Sequence, residues 1–225
     1  MKKMLLNNVI VRYRDNNDII LNIPSLEINS GLNFLIGKNG SGKSTLLKTI
    51  SNNEDIEFNG DICIDGKYLC RKKIGIVSQN PSKSITPELT FYENMLQASL
   101  KGKEFFSIHL ASSRRLKKKV VDFLLSFNLE IDIQSLLDKE AEKLSIGQQQ
   151  LLAIFMRLYR NSSVLLLDEC TASLDMNNTK MVMDILQSIA MGETIILFVT
   201  HQIDLLETPN TRVLEAKNSN ILYKR

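Results

Sequence analysis

Apolar residues along the chain follow two rhythms. In the first third they form short runs bounded by glycine and turn-forming polar residues, the pattern of strands. Asn8–Arg14 and Ile19–Ile28 flank Asp15-Asn16-Asn17-Asp18, which predicts a β-hairpin. Leu32–Ile36, between Gly31 and Gly37, reads as a buried strand, and Ile74–Val77 as another. Gly60–Ile64 and Lys67–Leu69 flank Asp65-Gly66, a two-residue hairpin turn. From about Glu88 to Arg160 the spacing turns helical and charge becomes dense. In Arg114–Leu125, Leu116, Val120 and Leu124 recur every four residues, with Arg114, Arg115, Lys117, Lys118 and Lys119 between them. The last third alternates again: strand Val164–Leu167, a helix at about Met176–Met191, strand Thr194–Val199, a short helix and a terminal pair of weak strands. This order predicts an α/β fold, a single domain over 1–225 with a mostly parallel sheet. An antiparallel β subdomain stands at its N-terminus, and a helical subdomain at about 81–160 is inserted.

Composition narrows the class. At 225 residues, 44% hydrophobic and 24% charged, the chain has enough apolar material for a sizeable core and too much for general disorder. Its longest aliphatic runs are strand-sized, well short of the ~20 residues a spanning helix needs. Asn7 and Asn8 interrupt the first residues before a signal-peptide core can form, so a soluble, unsecreted domain is expected. The three cysteines, Cys63, Cys70 and Cys170, form no CxxC pair, which suits a reducing compartment. Net charge is +3 with pI ≈ 8.7, below the usual footprint of a nucleic-acid binder, so no nucleic-acid partner is expected. His109 has no companion motif and reads as a surface residue.

The chemistry starts at Gly37-Lys38-Asn39-Gly40-Ser41-Gly42-Lys43-Ser44-Thr45, which fits G-x-x-x-x-G-K-[ST] between the strand Leu32–Ile36 and the helical stretch Leu46–Ile50. Its glycines permit a tight, partly left-handed turn that aims successive N–H groups at one anion, and the helix that follows adds its positive end. Lys43 then falls against the β- and γ-phosphates and the Ser44 hydroxyl within reach of Mg²⁺. The loop is predicted to bind a nucleoside triphosphate. Val164–Leu167 ends in Asp168 and Glu169. An acid at the end of a buried strand suits the Mg²⁺ shell, and a second carboxylate near the γ-phosphate suits activation of water, hence hydrolysis. Ser145 and the Gly147 amide, in Leu144-Ser145-Ile146-Gly147-Gln148-Gln149-Gln150, open a helical run and make another anion site. His201 follows strand Thr194–Val199, at the strand end where α/β folds hold ligands.

The order and spacing of these motifs resemble the ATP-binding subunit of an ABC transporter over nearly the whole chain. Gly37–Thr45 matches Walker A, Gln79 the Q-loop glutamine, Ser145 to Gln148 the signature, Asp168 with Glu169 Walker B, Ser173-Leu174-Asp175 the D-loop and His201 the switch histidine. The resemblance implies that Lys43 and the loop amides bind phosphate. Ser44, Gln79 and Asp168 then serve Mg²⁺ directly or through water, Glu169 is the general base, and His201 contacts the γ-phosphate. It further implies that Ser145, Gly147 and Gln148 complete the site of an opposite subunit, identical or homologous, so that two chains sandwich two ATP. A membrane-spanning permease is the expected partner, with the chain cytoplasmic and peripheral on the inner face of the cell membrane. An ABC-type ATPase acting on nucleic acid or ribosomes is the alternative. It is disfavoured by the short stretch between Walker A and the signature and by the single cassette.

Several positions stay open on sequence. Tyr13 fits the aromatic that stacks on adenine, but a core aromatic on the face of Val9 and Val11 would read the same. Pro81–Leu100 is the expected groove for a coupling helix of the permease, with Phe91, Tyr92 and Met95 as anchors; core packing of these three is the alternative. The Arg114–Lys119 run reads as a solvated helix face or a lipid-facing one. Ile146 replaces the usual signature glycine, Leu151 a frequent arginine, and Cys170 the usual proline after Walker B. Cys170 admits a redox role or a buried apolar one.

Overall fold

The computed structural model describes residues 2–14, 18–70, 73–99, 114–127 and 132–224. The turn residues Asp15, Asn16 and Asn17, the groove end Leu100, and His109 lie outside them. Three strands come first, β1 (Lys3–Tyr13), β2 (Ile19–Asn29) and β3 (Gly31–Gly37), followed by α1 (Lys43–Ile50), β4 (Ile56–Ile64), β5 (Lys67–Tyr68) and β6 (Ile74–Val77). Helices α2 (Phe91–Ser99), α3 (Arg114–Leu125), α4 (Ile133–Leu137) and α5 (Ile146–Tyr159) occupy the middle. The chain then runs through β7 (Val164–Asp168), α6 (Met176–Ala190), β8 (Ile195–Val199), β9 (Arg212–Lys217) and β10 (Asn220–Tyr223).

The strands form two sheets. One is antiparallel, in the order β2-β1-β4-β5; the other runs β10-β9-β3-β8-β7-β6 and is parallel except for its edge strand β10. Side chains alternate across the parallel sheet and both faces are covered, which is why β7 and β8 read as unbroken apolar runs. Val164, Leu166, Ile195 and Leu197 pack with Leu46, Leu47, Ile50 and the inner face of the antiparallel sheet. Leu165, Leu167, Ile196 and Phe198 pack on the opposite side with α5 and α6. Each such aliphatic side chain contributes about 1.5–3 kcal/mol by leaving water.

β1 begins at Lys3, ahead of the Asn8 start that the apolar pattern predicts. The asparagine pair lies inside the strand as a β-bulge: register against β4 shifts between Asn7 and Ile10, and Asn8 takes a left-handed φ of 51°. Gly60 faces the bulge at φ 99°, where a Cβ would stand 2.3 Å from the Asn8 carbonyl oxygen. The second hairpin forms as expected, Ile64 pairing with Lys67 across Asp65 and Gly66, both at positive φ.

In the middle, α3 has the predicted bounds and buries Val120 and Leu124. Lys117 pairs with Asp138 at 2.9 Å, while Arg114, Arg115, Lys118 and Lys119 are exposed. Phe91 and Met95 are buried in the core shared by α2, α3, α4 and α5, so neither is a groove anchor. An aromatic and a thioether with their full surface already packed have nothing left to offer a partner helix. Leu151 is buried in the same core, which accounts for an apolar residue where the family often has arginine.

Candidate functional site

Parallel pairing brings the carboxyl ends of β3, β8, β7 and β6 to one rim, the place where open α/β sheets hold ligands. β3 runs straight into the Gly37–Thr45 loop. Gly37 lies at φ 148°, Gly40 at 77° and Gly42 at 98°. A Cβ on Gly37 would stand 2.6 Å from the Ala216 carbonyl oxygen, so the strand can enter this turn only without one. Gly42 caps α1 with no side-chain hydrogen bond, which leaves the first N–H groups of that helix aimed into the loop. The Lys43 ammonium reaches back and donates to the carbonyls of Gly37 at 2.8 Å and Lys38 at 3.0 Å. Burial lowers its pKa, opposed by Glu169 and then Asp168. Lys38, Asn39 and Gly40 are exposed at the tip, and the Ser41 hydroxyl is buried without a partner among the described residues.

The two acids take different positions. Asp168 ends β7, where burial and then the charge of Glu169 raise its pKa. A hydrogen bond from the Ser44 hydroxyl and the charge of Lys43 act the other way. Glu169 has already left the strand, with φ 51°. Holding a non-glycine residue there costs about 1–2 kcal/mol, and its N–H is fixed by the Val199 carbonyl at 3.0 Å. This turn aims the carboxylate at His201, whose Nε2 lies 3.0 Å from Glu169 Oε1. Thus Lys43, Ser44, Asp168, Glu169 and His201, from three separated stretches of sequence, meet at one rim.

The other expected site residues are carried by elements around this cluster. Gln79 follows β6 with its side chain exposed. Ser145 caps α5: its hydroxyl oxygen accepts the Gln148 N–H at 3.2 Å, and Gln148 Oε1 accepts the Ser145 N–H at 3.1 Å. The cap uses a Ser145 lone pair and leaves the O–H free to donate. Gly147 is buried against Asn178 of α6, whose Oδ1 would lie 2.4 Å from a Cβ. No hydrogen bond joins Ser145, Gly147 or Gln148 to the Gly37–Thr45 loop among the described residues. Tyr13 is 37% exposed while Val9 and Val11 are fully buried, which removes the core reading. Its hydroxyl lies 3.3 Å from Thr45 Oγ1, and the Lys48 ammonium sits 5.5 Å from the ring centre.

Two supports of the rim carry no signal in the sequence. The buried Thr171 hydroxyl donates to Gln202 Oε1 at 2.7 Å, tying the segment after Glu169 to the residue after His201. Gln150, fully buried on α5, donates to the carbonyls of Cys170, Ser78 and Gln79. Both are ordinary polar residues whose partners lie 20 or more positions away.

The chain is similar to known proteins over most of its length. The family model described as ABC transporter matches residues 21–172. The energy-coupling factor transporter ATP-binding protein EcfA1 of Thermotoga maritima is 33% identical over 210 residues, covering 91% of this chain and 75% of its own. The glutamate transport ATP-binding protein GluA of Corynebacterium glutamicum is 34% identical over 207 residues, covering 88% of this chain and 78% of its own. The structure of CbiO1 from Clostridium perfringens, part of the ABC transporter complex CbiONQ, overlays with a TM-score of 0.78 at 25% identity, covering 97% of this chain and 86% of that one. With its phosphate loop, its paired acids and its two-sheet fold, the chain belongs to the ABC transporter family as an ATP-binding subunit, an ATPase that powers transport.

Proposed function

We propose that two ATP molecules are held between two copies of this chain, or this chain and a close homologue, and that their hydrolysis drives a membrane-spanning permease from the cytoplasmic face. In this reading the Gly37–Thr45 loop of one chain and the α5 tip of the other enclose each triphosphate. The supporting observation is the meeting of Lys43, Ser44, Asp168, Glu169 and His201 at one rim, with no hydrogen bond from the α5 cap to the Gly37–Thr45 loop among the described residues.

Each group has a task that follows from its surroundings. The α1 amides and Lys43 take the phosphate oxygens, Lys43 exchanging two carbonyl bonds for charged ones. Gly37, Lys38, Asn39, Gly40, Ser41, Gly42 and Thr45 shape the loop around them. Ser44 and Asp168 offer hard oxygen donors side by side, and Gln79 a further one from the neighbouring strand end; this donor set fits Mg²⁺ carried in with nucleotide phosphates. Bound there, Mg²⁺ neutralises charge on the β- and γ-phosphate oxygens. Glu169 accepts a proton from the attacking water, and His201 holds that carboxylate in place and faces the γ-phosphate. Tyr13, partly exposed, with its hydroxyl at Thr45 and the Lys48 ammonium over its ring, stacks on adenine. Ser145 donates its free O–H, and Gly147 its amide, to the γ-phosphate of the opposite site, while the Gln148 side chain keeps the tip in shape.

ATP drives closure only by binding the closed pair more tightly than the open one, and moving a 1:99 equilibrium to 99:1 takes about 5.5 kcal/mol. The α5 tip meets the γ-phosphate, which ADP lacks, so the difference vanishes on hydrolysis. The Glu169→Gln variant is expected to bind ATP, to lose about 10²-fold or more in kcat, and to run as a dimer with ATP in light scattering. Wild-type turnover by that variant would remove Glu169 from the mechanism.

A further inference from the structure

Gln150 occupies an unusual position for an amide. It is fully buried, and its Nε2 lies 2.8 Å from the Cys170 carbonyl oxygen, 3.2 Å from that of Ser78 and 3.3 Å from that of Gln79. An amide nitrogen carries two hydrogens. The shortest contact takes one, so the other is shared between two consecutive carbonyls. The side chain cannot turn over, because its own oxygen would then face three carbonyl oxygens. Oε1 accordingly stays without a partner among the described residues. A buried acceptor left bare is costly, and a donor facing three acceptors is what fixes this orientation.

These three carbonyls belong to the two segments that border the reacting rim. Cys170 follows Glu169, whose left-handed backbone must be held from outside, and Ser78 and Gln79 form the loop after β6. Gln150 itself lies within the first two turns of α5, the helix whose cap is Ser145. One amide therefore joins the Gln79 loop, the α5 helix and the peptide beside Glu169. The second hydrogen faces two carbonyls at nearly equal distance, 3.2 and 3.3 Å.

From this geometry we infer that Gln150 is a positioning residue for hydrolysis: it holds Glu169 in its working place and ties that place to the Gln79 loop. The inference rests on Glu169 acting as the base. It predicts that removing the two N–H donors, with the bulk retained, slows the chemical step and spares nucleotide binding.

The test uses the full-length chain with Gln150→Met, which keeps length and loses the donors, and Gln150→Glu, which sets a carboxyl against three carbonyls. Steady-state ATPase kinetics are measured beside equilibrium ATP binding and thermal melting, with kcat expressed per ATP-binding site. Both variants are expected to lose about tenfold or more in kcat, with ATP affinity held within about twofold. A kcat per site within twofold of wild type in Gln150→Met would overturn the inference. So would a parallel fall in ATP affinity and kcat, the mark of a residue that only holds the fold. The Glu169→Gln variant separates the two levels. If it is inactive while Gln150→Met is fully active, the inference fails and the reading of Glu169 stands; if Glu169→Gln turns over normally, both fall.

Discussion

Cys170 stands where the family usually has proline, next to Glu169, the acid proposed to activate water. It is completely buried, and that burial pushes its thiol up to about 12. The thiol therefore stays protonated at pH 8, and the thiolate is the reactive form. This residue acts as a small apolar filler, and the redox reading finds no support in its surroundings. In native protein at pH 8, iodoacetamide should modify the exposed Cys70 and leave Cys170 untouched until denaturant is added, as read by peptide mass spectrometry. Labelling of Cys170 at a rate similar to Cys70 would contradict the buried assignment. Ile146 departs from the pattern in the other direction, exposed at the first position of α5, and the Ser145–Gln148 cap forms beside it.

The elements were largely written in local patterns, and the exceptions have physical causes. β6, α3 and the Asp65-Gly66 hairpin follow from short apolar runs, a four-residue spacing and a turn dipeptide, all of which act over a few neighbours. The phosphate loop was legible for the same reason, since strand, glycines, lysine and helix are contiguous. The start of β1 is hidden in the sequence because a bulge looks like an interruption: Asn7 and Asn8 end the apolar alternation, yet pairing with β2 continues through them. The compensating residue, Gly60, is far along the chain and cannot be linked to Asn8 without the fold. Phe91 and Met95 were ambiguous because an anchor and a core residue have the same chemistry and differ only in what covers them. Gln150 and Thr171 escaped because their partners are backbone carbonyls or a distant amide, which leave no trace in residue type. The bulge carries its own prediction. Gly60→Ala sets a Cβ against two backbone carbonyls at positive φ, which should cost about 2–4 kcal/mol and lower Tm by roughly 4–16 °C in a thermal melt. ATP affinity measured below the transition should be unchanged, because the bulge lies away from the rim.

For the assembled molecule the decisive question is whether each site is built from two chains. Lys43→Ala disables a chain's own loop; Ser145→Asp keeps a good helix cap but sets a carboxylate against the opposite γ-phosphate. Each variant alone should be inactive. Mixed in equal amounts, half of the dimers are hybrids with one intact site of two, so ATPase activity should recover to about a quarter of wild type. No recovery would mean that the second cassette is a different chain or that sites do not cross the interface. The order of the parallel sheet has one more consequence, for the birth of the protein. β8 is threaded between β3 and β7 although it comes later in the chain than both. On the ribosome the glycine loop emerges before β7 and β8, and β3 and β7 are joined into one sheet only when β8 slides between them and delivers His201 beside Glu169. Nascent chains that stop short of β8 thus carry the glycine loop without His201 beside Glu169, and the rim is assembled only once β8 has been made.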